Sequence, residues 1–102
     1  MSLWRWAEWL ITVPPEAHIT LGEGNTPVVR SKQIGPTAGL DNLYFKMETG
    51  NPTGSYKDRF ATLAISDMLA TGKTRCIATS SGNTGSALAA YCAAANISCE
   101  II

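Results

Sequence analysis

Residues 43–102 alternate between strand-like and helix-like patterns, and this alternation constrains the fold more than any other feature of the chain. Apolar and β-branched runs predict strands over 43–47, 75–79 and 97–102, and apolar residues at helical spacing predict helices over 56–70 and 84–95. A βαβαβ order is typical of a parallel sheet with right-handed crossovers. We therefore predict an α/β fold that contains a βαβαβ segment of a parallel sheet.

The first 19 residues form a separate predicted unit. Apolar residues at helical spacing over 3–11 predict a short helix, which Pro14 and Pro15 end. We divide the chain into an N-terminal helix and loop (1–19) and the first portion of an α/β domain (20–102), with a short extended piece at Val28 and Val29.

Two features indicate that residues 20–102 are an incomplete domain. The predicted helix 84–95 is apolar nearly all round, and such a helix is normally covered on more than one side. The strand 97–102 is followed by no turn, cap or helix, although parallel strands are usually covered on both faces. We expect the leading part of a longer protein, inactive alone.

The balance of charge argues against several classes of partner. The 102 residues are 45% hydrophobic and 16% charged, and eight basic residues balance eight acidic ones. We therefore expect neither a nucleic-acid nor a membrane partner, and favour a small-molecule ligand. The apolar N-terminus is interrupted by Arg5 and Glu8 and is too short to span a membrane, so we expect a cytoplasmic protein.

The cysteines and the histidine do not predict a metal site. Cys76, Cys92 and Cys99 show no CxxC spacing and lie in apolar runs, which is typical of buried, reduced thiols. The single histidine, His18, is interpreted as a loop or packing residue.

Lys57 is the best candidate for chemistry. It lies in NPTGSYKDR (51–59), where a turn leads into the first turn of the predicted helix 56–70. A cation is unfavourable at a helix N-terminus, and both a positive field and burial favour the neutral amine that condenses with a carbonyl. The alternative is a solvated surface lysine beside Asp58 and Arg59, which is the usual state of a lysine.

A second candidate segment is SSGNTG (80–85), which follows the strand 75–79. Ligands of open parallel sheets bind at the carboxyl ends of the strands, so Lys57 and Asn83 are predicted to lie on one edge at neighbouring helix starts. Hydroxyl, amide and backbone N–H groups of this segment are able to hold an anion such as a carboxylate. The alternative is that Ser80, Ser81 or Asn83 only caps the helix.

Three segments in this order, LGEGNTPVVR (21–30), NPTGSYKDR (51–59) and SSGNTGSALAAY (80–91), resemble the threonine synthase family of fold-type II enzymes dependent on pyridoxal 5′-phosphate. The resemblance covers about residues 20–102. It implies that Lys57 binds the cofactor and acts as the catalytic acid and base, and that Asn83 hydrogen-bonds the oxygen on the pyridoxal ring. By the same resemblance, Ser80, Ser81, Gly82 and Thr84 hold the α-carboxylate of the amino-acid substrate.

The implied activity is that of a lyase of threonine biosynthesis, which converts O-phospho-L-homoserine and water into L-threonine and phosphate. Two alternatives stay open: another fold-type II reaction, as in cysteine synthase or a threonine or serine dehydratase, and a non-catalytic amino-acid-binding module. Nothing in the sequence matches the glycine-rich loop expected to grip the cofactor phosphate. The sequence gives no oligomeric state, and a homodimer stays open.

Overall fold

A computed structural model describes residues 2–102, in which four strands form two small sheets beside three α-helices. The strands are β1 (Val28–Arg30), β2 (Tyr44–Lys46), β3 (Arg75–Ala78) and β4 (Ser98–Ile101), and the helices are α1 (Ile34–Thr37), α2 (Lys57–Ala70) and α3 (Asn83–Ala94). Within the same residues, 3₁₀ helices cover Leu3–Trp9, Pro15–Ala17 and Glu48–Gly50.

The C-terminal βαβ unit follows the predicted order. β3 and β4 pair in parallel, from Arg75 opposite Ser98 to Ala78 opposite Ile101, and α3 is the crossover between them. The helix runs over Asn83–Ala94, within one residue of the sequence-based bounds 84–95. This part of the α/β prediction is confirmed.

The single parallel sheet of three strands is not confirmed. β2 pairs antiparallel with β1 in a separate two-stranded sheet, with Val28 opposite Lys46 and Arg30 opposite Tyr44. Two flanking backbone hydrogen bonds, Ser31 N–H to Leu43 O (2.9 Å) and Met47 N–H to Pro27 O, extend this ladder. The sequence pattern located the extended segments correctly, but it did not identify the segment 28–30 as the partner of 44–46.

The hydrophobic core lies between α2, α3 and the β3–β4 sheet. Ala61 and Ile65 of α2 are fully buried against Ala87, Leu88 and Tyr91 of α3. The core also contains Cys76, Cys92 and Ile97. The two helices that begin at the candidate site residues are therefore packed directly against each other.

The outer face of α3 is less covered than its composition suggested. Ala89, Ala93 and Ala94 are exposed, and so are larger apolar side chains elsewhere, such as Trp9 and Ile77. Within residues 2–102, no helix combines the length and the apolar character needed to cross a bilayer.

The N-terminal segment packs through its aromatic residues. The rings of Trp4 and His18 stack at a centroid distance of 3.7 Å, and Trp4 Nε1 donates a hydrogen bond to Ile19 O. A ring nitrogen of His18 lies 2.9 Å from Val13 O. His18 is thus a packing residue, as the sequence indicated.

Candidate active site

Lys57 is the first residue of α2, directly after the turn 51–56. Its side chain is half-buried, and its Nζ lies 5.1 Å from the centroid of the Tyr56 ring. Among residues 2–102, this nitrogen makes no hydrogen bond and no ion pair. An amine that no protein anion holds is available to a carbonyl ligand, which is the chemistry that the sequence assigned to it.

The turn before Lys57 is held by the next residue, Asp58. This carboxylate is fully buried and accepts hydrogen bonds from the backbone N–H of Thr53 (2.7 Å) and from its hydroxyl group (2.5 Å). Gly54 follows with a positive φ of 87°, a conformation that side-chain-bearing residues rarely adopt. The acidic residue of the first helical turn therefore fixes the backbone that leads into Lys57.

A second carboxylate, Glu48, joins this turn to α2. It forms a bidentate salt bridge with Arg59, with oxygen–nitrogen distances of 2.8 and 3.0 Å. It also accepts hydrogen bonds from the side chains of Thr26 (2.6 Å) and Asn51 (3.0 Å). The hydrogen bond from Arg59 is the main cause that lowers the pKa of Glu48 to about 2. The same contact raises the pKa of Arg59.

Asn51 connects this network to the GEGNTP segment. Its side-chain oxygen accepts a hydrogen bond from the backbone N–H of Gly24 at 2.9 Å. Gly24 has a φ of 89°, and a Cβ atom there would lie 3.2 Å from an Arg59 nitrogen. Glycine is thus favoured at position 24 by its backbone conformation, and a side chain there would also press on the end of the Arg59 side chain.

The third carboxylate of this region is Glu23, which is fully buried. It accepts hydrogen bonds from the backbone N–H groups of Leu3 (3.2 Å) and Leu21 (3.1 Å), from the Thr20 hydroxyl, and from the Tyr91 hydroxyl at 2.7 Å. Burial, followed by this contact, raises the pKa of Tyr91 far above its usual value. Glu23 therefore ties the N-terminal segment to α3.

The SSGNTG segment forms the entry to α3. The Ser80 hydroxyl oxygen accepts hydrogen bonds from the backbone N–H groups of Gly82 (3.2 Å) and Gly85 (2.9 Å). Ser80 thus caps the start of α3, which is the alternative role that the sequence left open for this segment. A Cβ at Gly85 would lie 3.2 Å from Ile101 and 3.3 Å from Ser80, so this glycine permits the close packing of the turn against β4.

Other groups of this segment have no partner in the described part of the chain. The side chains of Ser81, Asn83 and Thr84 make no hydrogen bond with residues 2–102, and Ser81, Gly82 and Asn83 are exposed. The backbone N–H groups of Asn83 and Thr84 lie in the first helical turn, where no intrahelical acceptor exists. These groups can accommodate an anion together with a hydrogen-bonding ligand.

Lys57 and Asn83 begin two helices that pack against each other. Each is the first residue of its helix, and α2 packs on α3 through the shared core. Within residues 2–102, Lys57 makes no direct bond to the segment 80–84, and the strands before the two helices belong to different sheets. The predicted common sheet edge is therefore not what relates these two residues.

A cavity of about 240 Å³ lies close to this network, lined by Arg5, Lys46 and Arg59 among others. Neither Lys57 nor the segment 80–84 lines it. The cavity is thus a feature of the GEGNTP region, separate from the residues to which the sequence assigned chemistry.

The sequence analysis missed the residues that support the site. It gave no role to the buried Glu23 and Asp58, to the Glu48–Arg59 pair or to Asn51. The signal was present, because all except Glu48 lie inside the GEGNTP and NPTGSYKDR motifs. A carboxylate within a glycine-rich turn is a candidate for holding backbone N–H groups.

Comparisons with known proteins identify the family. The family described as pyridoxal-phosphate dependent enzyme matches residues 19–102. The threonine synthase of Mycobacterium leprae is 40% identical over 84 residues, which are 82% of this chain and 23% of that protein. The threonine synthases of Halalkalibacterium halodurans (37% identical) and Methanocaldococcus jannaschii (34%) each match 100% of this chain, which covers 30% and 25% of their own lengths.

The chain thus spans about a quarter of the length of these curated relatives. The matched region contains Lys57, the segment 80–85 and the GEGNTP segment. On this similarity, the chain belongs to the pyridoxal-phosphate-dependent enzyme family.

Proposed function

We propose that the protein is a threonine synthase, which converts O-phospho-L-homoserine and water into L-threonine and phosphate with pyridoxal 5′-phosphate as cofactor. Similarity to proteins named threonine synthase in bacteria and archaea supports this reaction over others of the family. The single structural observation that carries the proposal is the free amine of Lys57, half-buried at the start of α2.

The residues present fit the cofactor. Lys57 would hold its aldehyde carbon, and the Asn83 amide, which has no partner among residues 2–102, would hydrogen-bond the 3′-oxygen attached to its ring. When bound, the cofactor supplies an electron sink for the charge that develops at the substrate α-carbon. A lysine nitrogen free of ion pairs is also suited to move a proton at that carbon.

The segment 80–84 would hold the substrate α-carboxylate. The Ser80 hydroxyl already occupies the N–H groups of Gly82 and Gly85, so it shapes the segment. The side chains of Ser81 and Thr84 and the first N–H groups of α3 then stay available for the carboxylate oxygens. This division of roles within one segment is part of the proposal.

Asp58 would hold the backbone at Lys57 in a fixed position relative to the segment 80–84. The carboxylate fixes the 51–56 turn through Thr53, and buried hydrogen bonds to a carboxylate are stronger than neutral ones. Asp58 does not itself contact the reacting atoms in this proposal. It is a positioning residue.

The labelling test uses the full-length protein incubated with pyridoxal 5′-phosphate and reduced with borohydride. We expect the cofactor to be fixed to Lys57, as located by peptide mass spectrometry. Lys57→Ala should abolish the label, whereas Lys73→Ala, at an exposed lysine, should not. A label found elsewhere, or retained in Lys57→Ala, would exclude the role given to Lys57.

The reaction test compares substrates in the same protein. Phosphate release together with threonine formation from O-phospho-L-homoserine is the expected result. Turnover of O-acetylserine with sulfide, or of threonine to a keto acid, would instead assign a cysteine synthase or dehydratase reaction. Amino-acid binding without any turnover would assign a non-catalytic binding module.

We also propose a cytoplasmic protein that acts on small molecules, with neither nucleic acid nor membrane as partner. The equal numbers of basic and acidic residues support the proposal that neither nucleic acid nor a membrane is a partner. A homodimer is the assembly to test, by sedimentation of the purified full-length protein.

A further inference from the structure

The three cysteines of the chain meet in one cluster. Cys76 of β3 and Cys99 of β4 are directly opposite in the parallel ladder, and Cys92 comes from the crossover helix α3. Their Sγ atoms all lie within 4.8 Å of one another, and none is in a disulfide bond. The sequence did not predict this convergence, because the three cysteines lack the CxxC spacing that is typical of a metal-binding motif.

The spacing of the sulfur atoms is close to that of a metal site. Metal–sulfur bonds of about 2.3 Å place three sulfur atoms around one ion about 4 Å apart. The observed upper limit of 4.8 Å exceeds this by less than about 1 Å, a change that side-chain rotation can supply. Within residues 2–102, the group that could hold an ion contains these three cysteines and no histidine or carboxylate.

The surroundings favour a site that is largely shielded from water. Cys92 is fully buried and Cys76 is 8% exposed, while Cys99 is partly exposed and offers a path for an ion.

We propose that Cys76, Cys92 and Cys99 bind one soft, thiophilic metal ion, and that Cu(I) is the ion that this site fits. Thiolate ligands select soft cations such as Cu(I) and disfavour Mg²⁺ and Ca²⁺. Structural Zn²⁺ sites use four protein ligands, whereas this cluster supplies three. Each cysteine that binds releases its proton to solvent, and no electron is transferred. This site is independent of the reaction at Lys57, and it revises the sequence-based prediction of no metal.

The test is a titration of the reduced full-length protein with Cu(I), without oxygen and against a coloured Cu(I) chelator. We expect one ion per chain, a thiolate-to-metal absorption in the ultraviolet, and a higher midpoint of thermal unfolding. Cys99→Ser removes a partly exposed ligand. Loss of a residue that only supports a metal ligand already lowers metal affinity by up to about 100-fold, so loss of the ligand itself should weaken Cu(I) binding by at least about 100-fold. Ser98→Ala, at the exposed neighbouring residue, should bind as the wild type does.

Two results would overturn the proposal. The first is that the wild type does not compete with the chelator, which would make the cluster a packing feature. The second is that Cys99→Ser, verified as folded by circular dichroism, binds Cu(I) as tightly as the wild type. Because the wild-type titration needs no substitution, a variant that fails to fold does not prevent a decision.

Discussion

The hydroxyl group of Tyr91 donates a hydrogen bond to Glu23 across 2.7 Å, and this bond joins residues that lie 68 positions apart. Both side chains are fully buried. Glu23 also holds the backbone of Leu3 and Leu21, so one carboxylate fixes the N-terminal segment, the GEGNTP segment and α3 relative to each other. Glu23 therefore orders the molecule through contacts that are long-range in sequence.

Tyr91→Phe should destabilise the protein by about 1.5 kcal/mol, because it leaves a buried carboxylate oxygen with one donor fewer and keeps the packing of the ring. Urea unfolding measures the loss. Tyr44→Phe is the matched control, since Tyr44 is exposed and makes no hydrogen bond with residues 2–102. It should stay within about 0.5 kcal/mol of the wild type. Equal stability of the two variants would show that the Tyr91–Glu23 bond is not stabilising.

Glu48 should make stability depend on pH in the acid range. Its pKa is lowered from 4.5 to about 2 in the folded protein, so its contribution is complete above pH 4.5 and is lost as the pH falls through about 2. Because the pair with Arg59 is partly exposed, we expect a contribution of about 1 kcal/mol. The measurement is the free energy of unfolding of the wild type and of Glu48→Gln between pH 2 and pH 6.

The difference between the two proteins should be constant near pH 6 and should shrink towards pH 2, because the other carboxylates titrate alike in both. Glu100→Gln is the control, since its pair with Arg75 is more than half exposed on both sides. It should change stability by less than about 0.5 kcal/mol at any pH in this range. A difference for Glu48→Gln that does not change with pH would contradict the prediction.

Gly85→Ala should destabilise the protein by about 1 kcal/mol. The new Cβ would press on Ile101 and Ser80 at 3.2 and 3.3 Å, and this overpacking should outweigh the gain in helix propensity at a helix end. Thermal unfolding measures the effect. At Gly50 an added Cβ has an ordinary contact of 3.4 Å with Pro27, so Gly50→Ala should stay near the wild type. A Gly85→Ala variant more stable than the wild type would show that the turn can yield.

The positions of most helices and strands could be predicted from the sequence, because they depend on local patterns. The start of α2 at Lys57 and the course of α3 follow from apolar spacing and from the turn residues before them. The pairing of β2 with β1 could not be predicted in this way, because a three-residue exposed strand carries no information about its partner.

The residues of the candidate site could be selected from the sequence, and their chemistry stays a prediction, whereas the residues that support them were not identified. Lys57 and the segment 80–84 stand out as residue types in turns, whereas the role of Glu23 depends on the distant donors Leu3 and Tyr91 that the fold brings to it. The same reason applies to the cysteine cluster. Cys76 and Cys99 become neighbours only through strand register, which spacing along the chain does not encode.

The separation of the two ladders has a consequence for local opening. The β1–β2 ladder shares no strand with the β3–β4 ladder, so amide protons of the former can exchange with solvent while every bond of the latter stays intact. Local opening of residues 28–46 therefore need not disturb the crossover helix α3, which begins at Asn83. We expect slower amide exchange in the β3–β4 ladder than in the β1–β2 ladder.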